Sequence, residues 1–280
     1  MKKSIFKRTA GLLFIILFSM IFLGAQRPND FGGDLEYELP IIMYHATHKG
    51  KPGKYNLPPS ELEKDFIYIL EHGCTPIFIK DLIDFVENAK PLPQKPIMIT
   101  FDDAYTNNYL YAWPIIQKHN VKCIMSVVGK FTDDNYKNGK LCPTGSHLTY
   151  EEINELHKSG LVEIQNHTYN CHGKSGRTGL AKRKRESYEE YEKAISEDLM
   201  LLQNILKERF NINCTAVTYP FGSFSKETET VVKKLGFKAC LTCSEGINKI
   251  KQGSSLFSLK RYNRPGGKNA EDFFNKIGVK

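Results

Sequence analysis

The chain has 280 residues, 41% of them hydrophobic, and a formal charge of +8. That length and apolar content suit one large domain with a substantial core, and they exclude wholesale disorder. Half of the excess charge comes from Lys2, Lys3, Lys7 and Arg8, ahead of any acid, so the balance gives little support to nucleic-acid binding.

Those four cations precede an apolar run from Ala10 to Ala25, the pattern of a secretory signal. The run is near the lower limit for spanning a bilayer. Leu23-Gly24-Ala25 is a poor cleavage site, because Leu23 stands where a small residue is preferred, and no cysteine follows closely enough to take a lipid. Residues 1–25 are therefore read as a signal peptide or N-terminal membrane anchor, residues 26–38 as a linker, and residues 39–280 as the working domain. The expectation is an exported monomer whose membrane contact is confined to the N-terminal segment.

From there the pattern alternates. Strands are predicted at Pro40–His45, Thr75–Phe78, Pro96–Phe101, Lys122–Val128, Val162–Asn166, Thr215–Tyr219, Lys238–Thr242 and Leu256–Arg261. Helical periodicity fills Pro59–His72, Lys80–Asn88, Asn107–His119, Thr149–Ser159, Tyr188–Phe210, Lys226–Leu235 and Ala270–Ile277. Ser60 before Glu63 resembles a capping box, and Gly73, Gly160 and Gly236 sit where helices stop. Alternation with near-continuous apolar strands implies a parallel sheet covered by helices, and seven or eight such units point to an α/β barrel, complete or incomplete. Chemistry in such barrels gathers where strands end. His45, Asp102-Asp103, His167 and Tyr219-Pro220 stand at those ends.

Seven scattered cysteines cannot all pair internally, and a chain this long needs no disulfide framework. Cys240-Leu-Thr-Cys243 is a lone CxxC whose side chains would point to opposite faces of a strand. Unpaired, mostly buried thiols are the expectation. Gly173–Ser187 is a basic loop that holds Lys174, Arg177, Lys182, Arg183, Lys184 and Arg185. It is read as solvated, with attraction to an anionic wall polymer as the minor alternative.

Three motifs can carry chemistry. Thr100-Phe101-Asp102-Asp103 places two carboxylates at a strand end, where one can bind a metal and the other act as general base. Alone, the pair reads as a helix cap. Asn166-His167-Thr168-Tyr169-Asn170-Cys171-His172 holds two histidines that fit neither one helix face nor one strand face, so a turn must bring both inward. Two histidines and one aspartate would make a three-ligand site with a position left for water. Thr218-Tyr219-Pro220-Phe221-Gly222 is a strand end leading into a stiff turn whose backbone N–H could face an oxyanion.

In this order and spacing the three motifs resemble those of the NodB-homology polysaccharide deacetylases, carbohydrate esterase family 4. The resemblance runs from about Leu39 to the C-terminus. It includes Ile41-Ile42-Met43-Tyr44-His45, Arg261-Tyr262-Asn263-Arg264-Pro265 and Glu271-Asp272-Phe273-Phe274. It implies a distorted α/β barrel, often of seven strands, and hydrolysis of an acetamide by a water that a divalent ion activates. By position, Asp102 matches the general base, and Asp103, His167 and His172 match the metal ligands. Phe221 matches the residue whose N–H helps hold the oxyanion. The implied cofactor is one divalent ion, zinc first, with cobalt, manganese, nickel or iron as alternatives. The implied partner is an N-acetylated glycan polymer.

Four departures from the family pattern stand out. Ala104 replaces a glycine, and the histidines are five apart, as in the poly-N-acetylglucosamine deacetylase branch. Thr218 stands where many members carry an arginine that orients the base, and no histidine follows His172 to act as acid. His45 is the replacement acid to test, against a packing role. Arg261 and Arg264 are candidates for the absent arginine, although a structural or solvated role is the default for each. His147 is read as structural. A hydrolase of small amides on the same fold, and a non-catalytic glycan binder, are the competing readings. The polymer itself (peptidoglycan, poly-N-acetylglucosamine, chitin-like oligomers or acetylated xylan) stays open at this level.

Overall fold

The computed structural model describes residues 35–138, 142–173 and 177–280. The proposed signal or anchor segment, most of the linker and Lys174 therefore lie outside the described residues. Among those described, no helix is long and apolar enough to cross a membrane.

The elements follow the predicted alternation. In chain order they are β1 (Tyr37–Leu39), β2 (Ile41–Tyr44), α1 (Pro59–Glu71), β3 (Thr75–Pro76), α2 (Ile79–Asn88) and β4 (Pro96–Phe101). A π-helical turn at Asn108–Ala112 leads into α3 (Trp113–His119), β5 (Cys123–Val127), α4 (Gly129–Asn138), α5 (Tyr150–Lys158), β6 (Val162–Asn166) and α6 (Tyr188–Phe210). The chain ends with β7 (Ala216–Thr218), a short turn at Pro220–Gly222, α7 (Lys226–Lys234), β8 (Ala239–Leu241), β9 (Asn248–Ile250), β10 (Tyr262–Asn263) and α8 (Ala270–Lys276).

Seven strands form one parallel sheet in the order β10-β2-β4-β5-β6-β7-β8, and β3 adds to the start of β4. The sheet is curled, as the distorted barrel reading requires. Every residue of β4 and β5 is buried, as expected for central parallel strands covered on both faces. Residues of alternate parity separate into two cores. Ile97, Ile99, Phe101, Cys123, Met125 and Val127 pack outward against the helices. Met98, Ile124, Ala216 and Leu241 pack into the curl with Leu82 and Phe85 of α2. The inward parity of β4 then continues upward as Thr100 and Asp102. The interior is thus apolar low in the barrel and polar at the rim, and this sets the site where the strands end.

Some local readings needed correction. Ser60 is not a cap: α1 starts at Pro59 after Pro58, with no side-chain cap bond. Genuine boxes occur at Thr149–Glu152 and Ser187–Glu190. Gly73, Gly160 and Gly236 do adopt positive φ after their helices. Tyr37 and Glu38, read as linker, pair antiparallel with β9. Leu256–Arg261 is not a regular strand. It keeps one bridge, Leu259 to Leu241, before β10 forms beside β2. The segment has to cross from the edge of β8 to the edge of β2, and a straight strand cannot serve both.

Glu163, on β6, offers a pH test of the scaffold. Burial drives its carboxyl up to about 7, against the Lys80 N–H and Gln165 that hold the charged form. The folded state therefore keeps a proton that the unfolded chain gives up at ordinary glutamate values. This stabilisation is full in acid and is lost as pH rises toward 7, by about 3 kcal/mol. Glu163→Gln is expected to raise the melting temperature at pH 8 and to leave it little changed at pH 4. Equal shifts at both pH values would rule this account out.

Candidate active site

Asp102 extends β4 by one ladder bond, its N–H donating to the Tyr44 carbonyl at 2.9 Å. Its side chain is 2% exposed and meets a guanidinium that arrives from beyond the sheet edge. Arg261 Nη1 and Nη2 donate to Asp102 Oδ1 and Oδ2 at 2.7 and 2.8 Å. Arg261 is held in turn by the Thr242 carbonyl at 2.8 Å and the Thr100 hydroxyl at 3.1 Å. Burial alone would raise the Asp102 carboxyl, but Arg261 outweighs it and holds the group below the usual range. The default structural reading of Arg261 is thereby corrected: it faces Asp102 where the sequence lacks an arginine at Thr218. Arg264 does not. It forks onto Asp65 of α1, at 2.8 Å on each arm, and Tyr44 shares that carboxylate.

After Asp102 the chain turns sharply. Asp103 and Ala104 both take left-handed backbone, φ 67° and 51°. This explains why a glycine is natural at 104. The turn aims Asp103 at two imidazoles: Oδ1 lies 3.4 Å from His167 Nε2 and 3.1 Å from His172 Nε2. One ligand atom from each of the three residues falls within 4.8 Å of the others. His147, read as structural, donates from Nδ1 to the Asp103 carbonyl at 3.0 Å and stacks between Tyr105 and Phe131.

The His167–His172 turn is built by short bonds. His167 Nδ1 donates to the Thr218 carbonyl at 2.8 Å, which leaves Nε2 with a lone pair toward Asp103. Thr168 is β-branched yet has φ 72°, and its N–H donates to Asn166 Oδ1 at 2.8 Å. Asp198 of α6 accepts the N–H groups of Tyr169 and Asn170 at 2.8 Å each, fixing the far limb that carries His172. Phe221 has φ 59°, and its ring lies 4.4 Å from that of His172. Seven non-glycine residues have positive φ among those described. Ala89, Asn120 and Asn211 end helices, whereas Asp103 and Phe221 line this one cleft and Ala104 and Thr168 directly follow residues that line it. Strain concentrated this way marks a functional site.

These residues fit a divalent ion. Asp103 Oδ1 is buried without a hydrogen-bond partner, a costly condition that a cation would relieve. Two histidines and a carboxylate also suit the borderline metals that the sequence suggests.

His45 directly follows β2 on the same cleft, with its ring 4.6 Å from Tyr55 and its Nδ1 buried and unpartnered. Asn108 joins it to the aspartate turn, donating to the His45 carbonyl at 2.8 Å and accepting the Tyr105 N–H at 3.0 Å. Sequence reasoning missed Asn108 and Asp198, because each acts on a backbone distant in sequence. The CxxC divides as expected: Cys240 is buried on β8, and Cys243 lines the cleft with its thiol pushed up by burial. All seven cysteines are free, five buried and two exposed. In the basic loop, Arg177 is not solvated. It pairs with Glu186 and packs over Tyr191. The whole cleft encloses about 490 Å³.

The comparisons converge on one family. The family model described as polysaccharide deacetylase matches residues 89–240. The poly-β-1,6-N-acetyl-D-glucosamine N-deacetylase of Escherichia coli (strain K12) is 26% identical over 225 residues, covering 74% of this chain and 34% of that one. The enzyme of the same name from Staphylococcus aureus (strain N315) is 24% identical over 200 residues, covering 70% and 64%. The chain thus spans about a third of the first relative and somewhat under two thirds of the second. Among solved structures, the Streptococcus pyogenes deacetylase PplD in complex with acetate superposes with a TM-score of 0.70 at 21% identity, covering 87% of this chain and 99% of that one. IcaB from Ammonifex degensii gives 0.68 at 22% identity, covering 83% and 93%. At such identities the structural likeness establishes the fold.

Proposed function

Because this chain belongs to the polysaccharide deacetylase family, we propose that it removes N-acetyl groups from an amino-sugar polymer outside the cytoplasm, with a divalent ion held by Asp103, His167 and His172. The observation that carries this reading is the pairing of two carboxylates in different environments: Asp102 clamped by Arg261, and Asp103 facing two imidazoles. Poly-β-1,6-N-acetylglucosamine is the polymer we place first, on the names of the relatives and the five-residue histidine spacing. The cationic and apolar N-terminal segment supports export.

An ion in that site would supply Lewis acidity, polarising the acetamide carbonyl and easing deprotonation of a water. The protein's own groups do the rest. Asp102 is ionised across the neutral range and takes the proton of the attacking water, while Arg261 fixes both of its oxygens. The Phe221 N–H would face the oxygen that becomes negative. Burial pushes the His45 ring down, with Asp102 and Asp103 opposing, so it rests neutral. Negative charge growing beside it would raise its proton affinity. The proton that Asp102 takes from the water would then pass to His45 and from His45 to the departing amine, which leaves Asp102 ionised and His45 neutral again.

His45→Ala is accordingly expected to lower turnover by roughly 10²–10⁴-fold with metal content intact. Acetyl esters, whose leaving groups need little protonation, should suffer much less. Normal turnover of an N-acetylated sugar by the folded, metal-loaded variant would reduce His45 to packing.

The test of the function is acetate release from a panel of acetylated glycans, before and after chelation and on adding back zinc, cobalt, manganese, nickel or iron. Release that a chelator abolishes and a metal restores is expected. Release that survives full metal removal would refute the metal dependence, and release from small amides alone would favour the alternative hydrolase.

A further inference from the structure

The cleft does not end at the metal ligands. Lys54, Glu245 and Asn263 line it and also line a second cavity of about 630 Å³, between β10 and α8. Both volumes lie in the range of ligand sites, roughly 300–1,000 Å³. Hydrolysis of one acetamide needs only the first. The second has half-buried Tyr262 on one wall and Asp272 on another. Lysines and carboxylates are interspersed around it, which suits a neutral, hydroxylated ligand better than an anion. Asn263 Nδ2 donates to the Lys54 carbonyl at 3.0 Å, while its Oδ1 is buried and unpartnered. That oxygen is an acceptor set between the two cavities.

We propose that the second cavity is a sugar subsite, occupied by a neighbouring residue of the N-acetylated chain whose target residue lies at the metal centre. A pyranose face packs on Tyr262, and Asn263 Oδ1 accepts a hydroxyl or amide N–H. The inference rests on the glycan reading above and extends it, because it states on which side of the centre the polymer runs. Recognition there acts on binding and not on proton transfer.

The test compares N-acetylglucosamine with its β-1,6-linked trimer, using calorimetric affinity and acetate release in parallel. The wild-type protein should bind the trimer more tightly than the monosaccharide. Tyr262→Ala should weaken trimer binding by about tenfold and leave the monosaccharide unaffected, and Tyr262→Phe should restore the trimer. Tyr262 also contacts the core, so Asp272→Arg, on the exposed first turn of α8, provides a second obstruction that spares the fold. Trimer affinity unchanged in both Tyr262→Ala and Asp272→Arg would overturn the subsite. Length-dependent binding that these variants abolish, without acetate release by the wild type, would support the subsite and overturn the enzymatic reading alone.

Discussion

Asp102→Asn is expected to lose turnover by ~10²–10⁴-fold or more while retaining bound metal. Asparagine keeps the shape of the side chain but cannot take a proton from water. It also removes the counter-charge of Arg261, whose side chain is fully buried. Breaking one half of such a pair costs about 3–5 kcal/mol, so the variant should melt at a lower temperature as well. The Asp102→Asn/Arg261→Met double variant should recover part of that stability and none of the turnover. Arg261→Met alone removes the strongest of the groups that oppose burial of the Asp102 carboxyl. Its pKa should rise, and the acid limb of the kcat/KM profile should move to higher pH. Wild-type turnover in folded Asp102→Asn, or an unmoved acid limb in Arg261→Met, would separate this pair from proton transfer.

The legible part of the molecule was the part written in local pattern. The all-apolar runs of β4 and β5 announce buried parallel strands, and the polar residues that follow such runs announce the rim. Asp102, Asp103, His167, His172, Phe221 and His45 meet in one cleft because each ends or follows a strand of one curled sheet. What escaped is non-local. Arg261 reaches Asp102 across 159 positions of sequence, and only the irregular crossing between β8 and β10 places it inside the barrel. Asn108 sits in a π-helical turn whose sequence reads as ordinary helix. Ser60 fits a capping pattern that the adjacent prolines pre-empt, since Pro59 fixes the first helical φ and starts α1 itself. The β1–β9 pair joins segments more than 200 residues apart and has no signal in either one.

His172→Ala should weaken metal binding by more than the roughly 10–100-fold that loss of an outer-shell partner produces, since it removes a direct ligand. It is a cleaner probe than His167→Ala. His167 is 2% exposed and bonded to the Thr218 carbonyl, so its removal opens a cavity and strands a buried acceptor. His172 is more exposed, and the limb that carries it is held independently by Asp198. The truncated turn should therefore keep its shape. A metal that binds the folded state alone raises the melting temperature in proportion to the logarithm of its concentration over Kd. The wild-type protein should thus gain thermal stability on adding zinc, and His172→Ala should gain little at the same concentration. Competition against a coloured chelator measures the same difference without any substrate. Equal zinc affinity and equal thermal gain in the two proteins would remove His172 from the metal site, leaving Asp103 and His167 too few to hold the ion by themselves.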